Sequence, residues 1–146
     1  MKKLVLMIAV VLGMAITANA KGSFSRDESL LPLAARTTIS SNFKAKISLI
    51  KAEKMLGTIT EYEVILTDGS EISFDKNGNW QEIDVPKGKA VPNGFVPKSI
   101  TDYVKKTHSG QKVVSIDKDK GGYSIELSNG IDMKFDKSGN FIKYAD

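Results

Sequence analysis

The chain has 146 residues, with 21 lysines and arginines against 17 aspartates and glutamates, and it contains no cysteine. The lack of cysteine excludes a disulfide framework, a thiol nucleophile and thiolate metal ligands. His108 is the one histidine, which excludes a histidine pair at a metal centre. The lysines are scattered and usually sit near an acid, a pattern typical of a solvated surface, so the composition predicts no nucleic-acid partner.

The first twenty residues have the features of a secretory signal peptide. Lys2 and Lys3 precede an apolar run over residues 4–16, and Ala18-Asn19-Ala20 is a small-x-small cleavage site. The run is shorter than the roughly 18–20 residues that span a bilayer. We therefore predict cleavage near Ala20 and a periplasmic or secreted mature form without a membrane anchor. Loss of the two lysines leaves 19 basic and 17 acidic residues, a net charge of +2.

Two short helices are predicted next along the chain. Residues 21–29 are polar and lack periodicity, which predicts a flexible tail. Pro32 and Pro97 then open two segments, and proline suits the first turn of a helix. Apolar residues at four-residue spacing give each segment one apolar face. These residues are Leu31, Ala35, Ile39 and Phe43 in the first segment and Ile100 and Val104 in the second.

The strand-forming part of the chain occurs twice, 61 positions apart. Residues 62–80 contain Tyr-x-Val-x-Leu-x-Asp-Gly and then Ile-x-Phe-Asp-Lys-Asn-Gly-Asn-Trp, and residues 123–141 repeat this pattern with close substitutions. Alternating apolar residues and turn glycines are the requirements of a β-meander. The repeat predicts one helix-plus-meander unit over residues 30–84, a linker rich in proline and glycine over 85–95, and a second unit over 96–146.

The hydrophobic pattern also predicts the register of the hairpins. One further strand is expected after each helix, over residues 47–53 and 113–119, so that each unit has four strands. A three-residue loop with a left-handed Gly69 keeps apolar residues on one face, whereas a two-residue turn would not. The predicted pairs are Tyr62 with Phe74, Val64 with Ile72, Phe74 with Trp80, Tyr123 with Phe135, Ile125 with Met133, and Phe135 with Phe141.

The sequence thus predicts an α+β fold, a tandem repeat of a helix plus a four-stranded antiparallel meander, with two sheets joined and both helices on one face. The opposite face has a mixed composition. Its apolar members could be scattered exposed residues or a binding surface, and hairpin tips are a second place for a partner. The candidate partner-binding residues are Ile65, Ile83, Ile142 and Tyr144 on this face, and Asp68 and Asn129 at the tips.

A family resemblance follows from these motifs. The order of a proline-opened helix, a strand, Tyr-x-Val/Ile-x-Leu-x-Asp/Asn-Gly and Phe-Asp-x-x-Gly-Asn-Trp/Phe, given twice behind a signal peptide, resembles the PepSY-like family of putative beta-lactamase-inhibitor-like periplasmic proteins. The resemblance covers residues 30–146. It implies a beta-lactamase-inhibitor-protein-like fold with a concave open face, and a function in binding or inhibition without catalysis.

Two loops and one histidine remain as candidate sites for metal binding or catalysis. The loops over residues 75–79 and 136–140 alternate oxygen side chains, but their glycine comes too early for an EF-hand and no bidentate glutamate follows. An aspartate at the first position is also typical of a type I turn. His108 suits capping or packing where the second helix ends. We therefore predict a non-catalytic exported binding module for a protein or peptide, without a cofactor. The alternative is a small-ligand or calcium-binding protein that uses these hairpin loops.

Overall fold

A computed structural model describes residues 22–145, so the predicted signal peptide over residues 1–20 lies outside the described residues. The strands are β1 (Gly22–Ser25), β2 (Ile47–Met55), β3 (Thr58–Leu66), β4 (Glu71–Asp75), β5 (Trp80–Asp84), β6 (Val113–Asp119), β7 (Gly122–Leu127), β8 (Asp132–Phe135) and β9 (Phe141–Ala145). The α-helices are α1 (Leu33–Asn42) and α2 (Lys98–Thr107), and short 3-10 helices occur at Glu28–Leu30 and Asn93–Phe95. Within residues 22–145 none of the helices has the length and apolar character to cross a bilayer.

The nine strands form one antiparallel sheet whose order follows the chain from β1 to β9. The predicted fold class, a tandem helix-plus-meander repeat with two sheets, is therefore wrong: the described part of the chain is mostly one sheet, with two α-helices. Two separate meanders would leave β5 and β6 as edges with unpaired backbone groups. The chain between them returns so that Ile83 pairs with Ile116, and this pairing makes the sheet continuous.

The segments predicted as a tail and a linker both take part in the fold. Residues 22–25, within the predicted flexible tail, form β1, in which Ser23 pairs with Ala52. In the predicted linker over residues 85–95, Val91 and Phe95 are buried. The ring of Phe95 meets that of Trp80 edge-to-face, with 5.4 Å between centroids. Both segments therefore belong to the packed structure.

Both α-helices contribute to a single hydrophobic core. Their predicted apolar faces are confirmed, because Ala35 and Ile39 of α1 and Ile100 and Val104 of α2 are buried with the inward side chains of the strands. The prolines Pro32 and Pro97 stand at the N-caps, immediately before the first helical residue. Helices this short are stabilised mainly by such docking.

The predicted hairpin register is confirmed in both copies of the repeat. Tyr62 lies opposite Phe74, and Val64 lies opposite Ile72. The amide of Leu66 donates to the carbonyl of Ser70 at 2.8 Å, which closes the expected three-residue loop. Gly69 within it has φ +89°, in the left-handed region that glycine enters without a steric cost. In the second copy the pairs Tyr123–Phe135, Ile125–Met133 and Phe135–Phe141 also form.

A β-bulge in each copy changes which side chains face the core. Phe74 pairs with Trp80, but the next residue back, Ser73, pairs with Glu82, so Gln81 is an extra residue in β5. The same shift occurs in the second copy, where Lys134 and Phe135 pair with Lys143 and Phe141, and Ile142 is the extra residue. One extra residue inverts the alternation of the strand beyond it. The later residues of β5 and β9 therefore lie on the opposite face from the one predicted.

Candidate functional site

Neither α-helix covers the second face of the sheet, which we call the open face. The cross-strand register places its side chains in rows that run across the strands. One row contains Lys51, Glu63, Ser73, Glu82 and Asp117, and the next contains Leu49, Ile65, Glu71, Asp84 and Ser115. Carboxyl groups therefore dominate the part of the open face formed by β3 to β6.

A shallow depression, open to solvent, lies in this part of the open face. It is lined by Glu63, Ile65, Glu71, Ile72, Ser73, Glu82 and Asp84. Three neighbouring strands supply these residues, because β3, β4 and β5 pair in succession and alternate residues of each point to the same side. The depression therefore combines the side chain of Ile65 with four carboxyl groups, and Ile72 lies beneath it with its side chain buried in the core opposite Val64.

Four carboxyl groups of the open face hold their protons more tightly than carboxyls in water. Burial, followed by the charges of Asp84 and Asp117, raises the pKa of Glu82 to about 8. Burial, and then neighbouring carboxylates, also raises the pKa values of Glu61, Glu71 and Asp117. Desolvation and like charges both disfavour the ionised form of an acid. The crowding of these groups thus costs stability at a pH where they ionise.

One lysine partly offsets this negative charge. The Nζ atom of Lys51 lies 2.6 Å from an oxygen of Glu53 and 3.2 Å from an oxygen of Glu63. This ion-pair group stands at the β2 side of the depression, away from Glu82 and Asp84. An additional cation over the depression would therefore meet carboxyls that Lys51 does not pair with.

The six predicted partner-binding residues do not come together in one place. Ile65 lies on the open face and lines the depression. The placement of Ile83 on that face is wrong, because the bulge turns it into the core opposite Ile72, where it is fully buried. Ile142 and Tyr144 are exposed, but Ile142 is the bulge residue and Tyr144 pairs with Met133 of the core. The predicted open-face position of Tyr144 is therefore wrong as well.

The two hairpin-tip residues are occupied by turn and ion-pair contacts. One carboxylate oxygen of Asp68 accepts the amide of Ser70 at 2.9 Å, and the other lies 2.7 Å from Nζ of Lys89. The side-chain oxygen of Asn129 accepts the amide of Ile131 at 3.2 Å. These contacts account for both residues as parts of their turns.

The Asp-Lys-x-Gly-Asn loops are also organised by hydrogen bonds within the turn. Oδ1 of Asp75 accepts the amides of Asn77 at 2.8 Å and Asn79 at 3.0 Å, and Oδ2 accepts the side-chain amide of Asn79 at 3.1 Å. Asp136 makes the equivalent bonds in the second copy. Within residues 22–145 there is no group of three histidine, aspartate or glutamate side chains arranged to hold a metal ion.

His108 belongs to the end of α2. It is the C-cap residue, and its backbone amide donates to the carbonyl of Val104 at 2.7 Å. Its Nε2 atom lies 3.1 Å from the hydroxyl of Tyr144, and the two rings meet edge-to-face. The predicted capping and packing role of His108 is confirmed.

The residues missed by the sequence analysis are the carboxyls at the middle of the sheet. Glu82 and Asp84 are separated by one position, as are Asp117 and Asp119, so each pair points to one side of its strand. This alternation was readable in the sequence. The pairing of β5 with β6, which brings Glu82 opposite Asp117, could not be predicted from the sequence, because the two strands are separated by the whole of α2 and its flanking segments.

Comparison with solved structures gives close matches over most of the chain. A protein described as a putative periplasmic protein of unknown function from Bacteroides vulgatus ATCC 8482 is 40% identical, with a TM-score of 0.80, and the match covers 86% of this chain and 99% of that chain. A putative calcium-regulated periplasmic protein from Bacteroides thetaiotaomicron is 34% identical, with a TM-score of 0.78 and coverage of 86% and 97%. A putative periplasmic protein of the DUF2874 family from Bacteroides vulgatus ATCC 8482 is 33% identical, with a TM-score of 0.77 and coverage of 88% and 100%. Comparison with curated proteins gives no match.

The fold and these matches define a class of small periplasmic proteins built on one antiparallel sheet, which supports a periplasmic location for this chain. Within that class the chain belongs to the PepSY-like family, described as putative beta-lactamase-inhibitor-like, whose sequence profile matches residues 60–143. The family membership predicted from the repeated motifs is confirmed.

Proposed function

We propose that this protein is a non-catalytic periplasmic binding module whose open face engages a cationic segment of a protein or peptide. The observation that carries the proposal is the depression between β3 and β5, in which Glu71 and Asp84 lie directly opposite each other on paired strands. Like charges in that position destabilise a sheet. A feature that costs stability and is placed on an uncovered face is expected at a functional site.

Charge complementarity identifies the class of partner. The depression offers carboxyls beside the apolar side chain of Ile65, and a lysine or arginine side chain presents a charged head on an apolar stem. A bound cation would lower the pKa values of the neighbouring acids and relieve their mutual repulsion. An extended segment with basic residues at alternate positions would point several of them at the sheet, because side chains of a strand alternate between its two sides.

A non-catalytic role agrees with the chemistry of the site. The carboxyls of the open face lie close to one another. His108 lies at the end of α2, where its side chain contacts Tyr144. Nucleophilic catalysis needs a nucleophile within hydrogen-bond reach of a base. The open-face side chains of the depression are four carboxyls, one serine and the isoleucine Ile65, and this set favours recognition over bond making.

The double variant Glu71→Gln with Asp84→Asn tests the proposal. We expect it to lose binding of a labelled peptide of alternating lysine and valine, measured by fluorescence anisotropy, while its melting temperature at pH 8 rises slightly. The gain should be roughly 0.2–1 kcal/mol, since the variant removes a cross-strand like-charge pair. Binding by the unmutated protein should weaken with added salt, because exposed charges are screened.

A matched control variant changes the net charge by the same amount, but at residues outside the open face. Glu28→Gln with Asp102→Asn removes two exposed carboxylates elsewhere and should bind as the unmutated protein does. A peptide of alternating glutamate and valine should not bind. Equal binding of the two peptides, or full binding by the Glu71 and Asp84 variant, would refute the open face as the site.

Calcium binding is the second candidate function, because one similar structure is described as a calcium-regulated periplasmic protein. In this chain the carboxylates of Asp75 and Asp136 already accept three hydrogen bonds each from their own turns. Burial acts to raise the pKa of both aspartates, most strongly at Asp75, but these hydrogen bonds outweigh it and lower the pKa of both. The loops are therefore organised by the aspartates themselves, without a need for an ion.

We expect Asp75→Ala to lower the free energy of unfolding by about 1–3 kcal/mol, because the backbone donors of the turn lose a charged acceptor. This loss should be the same with and without calcium, measured by denaturant melts in calcium and in a chelator. Lys76→Ala, at the exposed second position of the same turn, is the control. A melting temperature of the unmutated protein that rises with calcium, and a rise that Asp75→Ala abolishes, would instead place an ion in the loop.

Export completes the proposed function. We propose that the mature chain begins near Lys21, after cleavage behind Ala18-Asn19-Ala20. Mass spectrometry of the protein recovered from the periplasm should give a mass without residues 1–20. Retention of Met1 would contradict the proposed cleavage.

A further inference from the structure

The two halves of the sheet meet at a narrow seam. Strands β5 and β6 pair over three residues each, Glu82–Asp84 against Ser115–Asp117. Beyond the strands, the amide of Val85 donates to the carbonyl of Val114 at 2.9 Å and the amide of Val91 donates to the carbonyl of Val113 at 2.8 Å. Other neighbouring strands, such as β4 and β5, share four residue pairs. The seam is thus held by three residue pairs and these two further backbone hydrogen bonds.

The two faces of the seam differ in chemistry. On the core face Ile83 lies opposite Ile116, and both are fully buried. On the open face Glu82 lies opposite Asp117, and Asp84 is the next residue of β5 on the same side. Hydrophobic burial therefore closes the seam from one side. Like charges directly opposite each other act against closure on the other side as soon as they ionise.

We propose that this seam is a pH-dependent joint, in which the carboxyls of Glu82 and Asp117 face each other across the paired strands and their ionisation makes the strands separate more readily. The joint goes beyond the proposed binding function and does not depend on it. It requires that these two like charges lie opposite each other when the seam is closed and move apart when the seam opens.

The groups around Glu82 all favour the protonated form. The pKa of Glu82 is raised to about 8 by burial, then by the charges of Asp84 and Asp117, a hydrogen bond with Asp84 and the charge of Glu61. The polar and charged side chains that face it are Glu61 and Glu63 on β3, Glu71, Ser73 and Asp75 on β4, Asp84 on β5, and Ser115, Asp117 and Asp119 on β6. Glu63 is held by Lys51, which leaves the other carboxyls to act on Glu82.

The direction of the pH effect follows from proton linkage. In the open seam Glu82 loses the charge of Asp117 and part of its burial, so its pKa falls below the closed-state value of about 8, and between the two pKa values the open state binds fewer protons than the closed state. Raising the pH through this window therefore favours opening. Above about pH 8 the carboxyl is ionised in both states, and the effect levels off. Burial, then the charges of Asp119 and of Asp84 across the seam, raise the pKa of Asp117, and this shift acts in the same direction.

Hydrogen exchange of the backbone amides of β5 and β6, followed by NMR and divided by the intrinsic exchange rate, measures this opening. We expect the opening constant of the unmutated protein to rise between pH 6 and pH 8 by about threefold to tenfold per pH unit, with tenfold the limit for one full proton. In Glu82→Gln, which keeps the shape of the side chain, most of the rise should disappear. The exposed control Glu28→Gln should behave as the unmutated protein does.

Two results would overturn the joint. One is an opening constant that is the same at pH 6 and pH 8 in the unmutated protein. The other is an equal rise in Glu82→Gln and in the unmutated protein. A carbon-13 titration of the Glu82 carboxyl provides an independent check, because a midpoint near 4.5 in the folded protein would contradict the joint, whereas a midpoint close to 8 supports it.

Discussion

Replacing Phe74 with alanine is expected to lower the free energy of unfolding by about 3–5 kcal/mol, as truncation of a large buried aromatic side chain does. Phe74 is fully buried and lies between Tyr62 and Trp80 on the core face of β4. The alanine variant loses the apolar area of the ring and leaves a cavity that the paired strands cannot close, because the sheet fixes their spacing. Denaturant melts measure this loss, and we expect the m-value to be unchanged.

The control for this prediction is Phe24→Ala. Phe24 lies on the edge strand β1 and is 42% exposed, so its truncation should cost much less, on the order of 1 kcal/mol or below. The contrast isolates burial, since both residues are phenylalanines in strands of the same sheet. Similar losses for the two variants would mean that the core of the first half is not centred on Phe74.

The register of the hairpins was predictable because burial on one face decides it. A strand that slips by one residue turns all its apolar side chains to the other face. The alternation of Tyr62, Val64 and Leu66 with polar neighbours therefore left only one pairing with Ile72 and Phe74. The same argument located the left-handed glycine at Gly69, since only a three-residue loop keeps this pairing.

The faces beyond Trp80 and Phe141 were not predictable by alternation alone. A bulge adds one residue to one strand and inverts everything after it, and here it moves Ile83 from the open face to the core. A single apolar residue such as Ile83 does not by itself show which face of the sheet it lies on. The acidic neighbours Glu82 and Asp84 carried the missing information, because two carboxyls are rarely buried in a core without partners.

The joining of the halves was unpredictable for another reason. Pairing between β5 and β6 is a contact between segments far apart in the chain, and the residues involved are few. Local propensity and turn chemistry specify a hairpin, but they do not specify which distant edges meet. The candidate site depends on that joint, because Glu82 and Asp117 become neighbours only when β5 and β6 pair. For this reason the sequence predicted the hairpins well and the site poorly.

The glycine of each Asp-Lys-x-Gly-Asn loop has a packing role in addition to its turn. Gly78 is buried with φ +89°, and a Cβ atom placed there would lie 2.9 Å from Cβ of Pro32 and 3.0 Å from the amide nitrogen of Ala35. Its counterpart Gly139 lies in the same way against Ser99 at the start of α2. The hairpin turn of each half thus packs beneath the first turn of a helix, and this contact explains why both copies combine a proline-opened helix with this glycine.

Gly78→Ala is therefore expected to lower the free energy of unfolding by more than the strain of a positive φ alone. The left-handed backbone costs about 1–2 kcal/mol for an alanine, and displacing the N-terminal turn of α1 should add about 1–3 kcal/mol, as overpacking does. Gly69→Ala is the matched control, because Gly69 has the same φ of +89° but its added Cβ would meet only Pro86 at 3.8 Å, an ordinary contact. Denaturant melts of the two variants separate the terms: the difference between them measures the contact of the turn with α1. Equal losses for Gly78→Ala and Gly69→Ala would show that α1 yields to the added methyl group, and that the glycine is needed for its backbone conformation alone.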